Sequence, residues 1–159
     1  MEVNGSMGRV VACPTAGSAG IGIVIAKNAT ILGAVGGCQA ECGSASAMAA
    51  AAITEMFGGN YSQVLSAVSL ALGNILGLVC DPVAGMVEIP CIQRNTIATL
   101  NAIISAEMTL AGADSVITAD EMISAMNEVG RLMDTSLKDI LEAGISNTPT
   151  ARSIEAAMG

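Results

Sequence analysis

Histidine and tryptophan are absent from this chain, and phenylalanine and tyrosine occur once each. Without imidazole, a zinc site completed by histidine is disfavoured. Without aromatic side chains, the core must be built from Ala, Ile, Leu, Val and Met, while 18 glycines permit close helix approach but add little volume. Cations are scarce as well: six Lys+Arg against 14 Asp+Glu leave a net charge of −8. That balance argues against a nucleic-acid backbone as partner, because phosphate binding needs a basic surface. The acidity is concentrated after Glu107 and marks a solvated helical surface. Long hydrophobic runs are also missing, although mean hydropathy is +0.64. The most apolar stretch, Val64 to Val79, contains Ser66, Ser69 and Asn74. It falls short of the roughly 20 apolar residues of a span. No Lys or Arg flanks it closely to set a topology, so it is read as a buried helix. The opening Met1-Glu2-Val3-Asn4 lacks a basic start leading into an apolar run, so no secretory signal is read and the chain is expected to be cytoplasmic. In that compartment thiols stay reduced.

Cysteine is what the chain does have. Cys38 lies in GGCQAECGSA, Cys80 in GLVCDPVAG and Cys91 in VEIPCIQRN. Each sits in a glycine- or proline-marked segment, at a chain turn where thiolates can converge. The spacings are 42 and 11 positions, and no CxxC pair occurs. A ferredoxin-like run and a zinc ribbon are therefore both excluded. Three soft ligands without histidine favour an iron–sulfur cluster. Electron-transfer clusters usually have four protein ligands. Three would leave one iron open as a Lewis acid able to bind a hydroxyl oxygen.

The pattern along the chain is all-α, with about six helices forming one domain over residues 1–159 and the cysteines in the interhelical connections. Residues 21–32 fit a buried helix or a strand, since periodicity does not separate the two in so apolar a run. Ser44–Phe57 is Ala- and Met-rich and ends at Gly58-Gly59. Asn60 with Gln63 forms a capping box for a helix reaching to about Val79. A helix follows from about Arg94 to Leu110. Thr118 with Glu121 opens another to about Leu132, whose Met122, Ala125, Met126, Val129 and Met133 keep helical spacing and read as core. Leu137–Ala143 is expected to be a short helix ending at Gly144. Thr148-Pro149 starts the last one.

The segments GCQAECGSA, CDPVAGMVEIPCIQRN and MEVNGSMGRVVACPTAGSAG resemble, in order and spacing, the alpha chain or domain of bacterial iron–sulfur L-serine dehydratases. The resemblance covers nearly the whole chain. It implies conversion of L-serine to pyruvate and ammonia through a [4Fe–4S] cluster without pyridoxal phosphate, as part of amino-acid degradation feeding gluconeogenesis. It maps the cluster ligands onto Cys38, Cys80 and Cys91, and it implies a largely helical catalytic domain, a beta chain or domain as partner, and a homo-oligomer. Against the family pattern, the chain lacks a leading region and a few dozen residues near Gly20-Ile21.

Several other residues are candidates beside bland alternatives. Arg94 can clamp the substrate carboxylate or sit at a helix start as a surface cation. Asn4, Ser6, Thr15 and Ser18 can hold the amino acid through hydroxyl, amide and backbone groups, or merely build turns. Gln39 and Glu41 flank the first cysteine and can support it. Lys27 can act as a base if desolvated, although reaching out to solvent is the simpler reading. Cys13 and Cys42 read as small buried hydrophobes. The alternatives to a serine lyase are a threonine or cysteine lyase on the same scaffold, a non-catalytic helical subunit, and an electron carrier.

Overall fold

A computed structural model describes residues 16–158; Ser6, Thr15, Asn4 and Cys13 lie outside them. Seven α-helices follow in order: α1 (Ala16–Asn28), α2 (Gly33–Gly36), α3 (Cys38–Met56), α4 (Tyr61–Gly73), α5 (Cys91–Leu110), α6 (Ala119–Leu132) and α7 (Pro149–Met158). The described residues contain no strand, only one parallel bridge pairing Cys80 with Lys138. The architecture is thus the single all-α domain that the composition implied. Among the described residues, no helix is long and apolar enough to cross a membrane.

Helix α3 is central, with α1, α2, α4, α5 and α6 packed around it. Its inward positions Ala47, Ala50 and Ala51 meet Ala67 and Ala71 of α4 and Ala102 of α5, all fully or almost fully buried. Methyl groups at these positions let helix axes approach closely. Ile25, Val68, Leu72, Ile123 and Met126 fill the space around them. A polar strut crosses this small-residue core. Asn101 Nδ2 donates to Ser46 Oγ (2.9 Å) and to the Ala71 carbonyl (2.8 Å), and Asn74 Nδ2 donates to Asn101 Oδ1 (2.7 Å). Buried amides cost free energy unless bonded, so these bonds fix the register of α3, α4 and α5.

The caps follow the sequence closely. Asn60 and Gln63 form the reciprocal box opening α4, and Thr118 and Glu121 form the one opening α6. Pro149 begins α7, with Thr148 Oγ1 accepting from Ala151 N. Residues 21–28 prove to be helix.

Three boundaries differ from expectation. Helix α3 starts at Cys38 rather than Ser44, α5 starts at Cys91 rather than Arg94, and α4 stops at Gly73 rather than Val79. Hence Cys38 and Cys91 are the first residues of helices, while Cys80 lies in the connection between α4 and α5.

The expected helix over Leu137–Ala143 is absent. A 3-10 turn spans Thr135–Leu137, and the chain then takes positive φ at Asp139 and Leu141. The physical reason is a competing partner: Cys80 N donates to the Leu137 carbonyl (2.9 Å), and Asp139 N donates to the Cys80 carbonyl (2.7 Å). Backbone groups that would have closed helical turns bond the cysteine segment instead.

Candidate active site

The three sequence-predicted cysteines come together where the N-termini of α3 and α5 meet the segment Leu78–Pro82. Each is buried and free, and so is Cys42, one turn into α3. Gly37 delivers Cys38 into this position. Its φ of 81° suits glycine, and a Cβ there would lie 2.7 Å from the Leu78 carbonyl. The close approach allows Gln39 N to donate to that carbonyl at 2.9 Å.

Gln39 is itself fully buried and holds three segments. Its Nε2 donates to the Gly36 and Met126 carbonyls, both at 2.9 Å, and its Oε1 accepts from Gly77 N at 2.8 Å. The residue after the cysteine thereby fixes the start of α3 against α6 and the end of α4. Its bonds go to backbone rather than to a thiol, so its part at the cysteine is to place the helix start.

Arg94 and Asn95, adjacent on α5, reach the two α3 cysteines. Arg94 Nη1 approaches Cys38 Sγ at 3.6 Å, and Cys42 Sγ donates to Asn95 Oδ1 at 3.3 Å. Arg94 is no surface cation, with a side chain only 11% exposed. Its Nη1 also pairs with Asp81 Oδ1 at 2.7 Å and donates to the Val79 carbonyl at 2.8 Å. Nε and Nη2 have no protein partner among the described residues.

The thiols differ in electrostatics. Hydrogen bonds from Cys42 and Cys80, with help from Arg94, hold the Cys38 thiol far below its ordinary range. Donation to Cys38 and burial push Cys42 and Cys80 strongly upward. Burial pushes the Cys91 thiol up to about 11, with the Cys38 charge adding to the effect and Arg94 opposing it. Glu41, in the first turn of α3, is raised by burial and by the charges of Cys38 and Asp139. Its carboxylate flanks Gly33, where an added Cβ would lie 2.8 Å from Glu41 Oε2 and 3.4 Å from Cys80 Sγ. Glu41 is nevertheless exposed to solvent.

Ser18 lies on α1, whose far end carries Lys27, exposed to solvent as the simpler reading had it. Asp81 and Asn95 were not singled out from sequence. Their signal was adjacency alone, Asp81 following Cys80 and Asn95 following Arg94.

The donor set is soft, buried and reduced, which suits iron–sulfur ligation. Among the described residues, no three His, Cys, Asp or Glu side chains form a ready cage for a single metal ion. A cluster does not demand one, because each thiolate binds a separate iron.

Fold and site together define an all-α protein built around a buried thiol centre with a paired arginine. Comparison with known families matches residues 18–146 to the serine dehydratase alpha chain. The chain is 47% identical to the probable L-serine dehydratase alpha chain of Bacillus subtilis (strain 168), covering 97% of this chain and 61% of that one. It is 46% identical to the L-serine dehydratase alpha chain of Peptoniphilus asaccharolyticus, covering 96% and 62%. It is 35% identical to the L-serine dehydratase TdcG of Escherichia coli (strain K12), covering 91% and 39%. The chain belongs to the serine dehydratase alpha chain family. It spans about three fifths of the length of the first two relatives. The aligned stretch with the Bacillus protein is 183 positions against 159 residues here. That relative therefore carries residues inside the matched region that this chain lacks.

Proposed function

We propose that this chain is the catalytic core of an L-serine ammonia-lyase, forming pyruvate and ammonia, with Cys38, Cys80 and Cys91 as ligands of a [4Fe–4S] cluster. The observation that carries the reading is the gathering of these buried, free thiols at the ends of α3 and α5. When bound, such a cluster supplies a Lewis acid for the departing hydroxyl. The chain's own residues set the stage. Gln39 and Gly37 fix the start of α3, and burial excludes water from the thiols. Arg94 places positive charge beside Cys38, and its Nε and Nη2 edge can take a substrate carboxylate. Glu41 offers a solvent-reaching carboxyl near Cys80. Ser6, Thr15 and Ser18 remain candidates for holding the amino acid.

The active assembly includes a beta chain or domain, forms a homo-oligomer and works in the cytoplasm, in amino-acid degradation that feeds gluconeogenesis. Activity is therefore expected to depend on partner polypeptide.

Anaerobic reconstitution with iron and sulfide tests the reading. About four irons per chain are expected, with Cys38→Ala, Cys80→Ala and Cys91→Ala each losing most of them. Pyruvate should form from L-serine when the beta partner is supplied. Unchanged iron binding in Cys80→Ala would sink the ligand assignment. Formation of 2-oxobutyrate from threonine, or of sulfide from cysteine, in preference to pyruvate from serine would redirect the substrate.

A further inference from the structure

The α5 arginine does more than line the thiol site. Its Nη1 donates to the Val79 carbonyl (2.8 Å) and approaches Cys38 Sγ (3.6 Å), and it ion-pairs with Asp81 Oδ1 at 2.7 Å without hydrogen-bond alignment. Asp81 is 3% exposed, and its other oxygen accepts from Ile145 N at 2.7 Å. The carboxylate thus ties the residue after Cys80 to the 3-10 turn Gly144–Asn147. Gly144 leaves room for it: φ is +70°, and a Cβ there would meet Asp81 Cβ at 2.9 Å.

A buried ion pair is not by itself strong evidence of stabilisation, since desolvation offsets much of the attraction. Retaining one here requires another reason. Asp81 immobilises the guanidinium, and the immobilised guanidinium points at a thiol. The contacts all fall on Nη1, so a lysine ammonium of similar reach can stand in for part of the role.

We propose that Arg94 is the fixed counter-charge of the thiol centre, a positioning residue aimed at Cys38 by Asp81, which the Gly144–Ile145 backbone holds in place. The proposal rests on the cluster reading above. Three thiolates gathered in a buried site concentrate negative charge, and any further electron placed there adds to it. A positive charge close by raises the reduction potential of the bound centre. Arg94 is the cation in contact with a thiol among the described residues.

The test compares wild type, Arg94→Gln, Arg94→Lys, Asp81→Asn and the double variant after anaerobic reconstitution with iron and sulfide. Iron retained after desalting and midpoint potential by spectrophotometric titration are measured, with far-UV circular dichroism as a check on fold. Arg94→Gln should keep its helical spectrum, retain at least threefold less iron and shift the potential to more negative values. Arg94→Lys should recover most of both. Asp81→Asn keeps an oxygen for Ile145 N but releases the guanidinium, so it should move both readouts in the same direction by less. The double variant should be no better than Arg94→Gln.

Wild-type iron retention and potential in Arg94→Gln would overturn the proposal. So would full recovery in the double variant, which would make the unpaired Asp81 charge the cause. If Arg94→Gln does not fold, Arg94→Lys and Asp81→Asn decide: potentials equal to wild type in both overturn the proposal. Wild type that binds no iron overturns the cluster reading, and this inference with it. Iron bound equally by all variants overturns only the inference.

Discussion

Gln39 shows how much one side chain can decide. Its amide bonds the Gly36 and Met126 carbonyls and the Gly77 N–H, and losing it would strand the buried Gly36 carbonyl. An orphaned group of this kind costs about 1–3 kcal/mol. Gln39→Leu, close in volume and unable to bond, is therefore expected to lower unfolding free energy by about 1–3 kcal/mol in urea titration. Because Gln39 follows Cys38 directly, the same variant should loosen the thiol site. A variant with unchanged urea midpoint would show that water or a shifted backbone replaces the amide. The glutamine was legible in sequence as a support for the cysteine, but its partners were not. Two of them come from residues 77 and 126, far away along the chain.

At the scale of elements, capping is where sequence and structure agree best. Thr118 Oγ1 accepts from Glu121 N, and Glu121 Oε2 accepts from Thr118 N at 3.0 Å and from Thr118 Oγ1 at 2.7 Å. These bonds hold the Glu121 carboxyl below its ordinary range. A carboxylate depressed in the folded state contributes stability above its unfolded pKa, and that stability is lost as pH falls through the folded value. Thr118→Ala should cost about 1 kcal/mol at neutral pH. The gap from wild type should narrow in strong acid, where Glu121 is protonated in both proteins. Urea midpoints at neutral and strongly acidic pH check this, and a gap independent of pH would remove Glu121 from the account.

The segment after α6 behaves in the opposite way. Leu137–Ala143 has helical composition and a glycine placed to end a helix, yet its backbone bonds Cys80. Gly144→Ala should be more damaging than a surface glycine change, because it strains a positive φ and crowds Asp81. Loss of a few kcal/mol is expected, read as a lower melting temperature; a neutral effect would show that the Asp81 tie is dispensable.

For the whole molecule, the thiols join three stretches: the start of α3, the α4–α5 connection and the start of α5. A ligand that binds only the folded state stabilises it by mass action. Occupancy of the centre should therefore raise the melting temperature by about 5 °C or more for a chain of this size. Differential scanning fluorimetry under anaerobic conditions, before and after chelation, measures the change. No shift on iron loading, with iron shown to be bound, would place the metal away from the packed thiols.

Much of this protein could be read from residues alone. Scarce aromatics and abundant alanine dictate a core of closely approaching helices, because small side chains pack only when backbones come near. Capping boxes are local, so Asn60 and Thr118 announce their helices without help from the rest of the fold. The words around Cys38, Cys80 and Cys91 are likewise local, and they carried the family. Tertiary structure decided what depends on partners distant in sequence. It started α3 and α5 at the cysteines themselves, and turned Leu137–Ala143 from helix into a brace for Cys80. It also drew Arg94 out of solvent and onto Asp81. Whether a side chain is a surface charge or a buried counter-charge is set by its tertiary partners, here Asp81, which Ile145 N holds in turn.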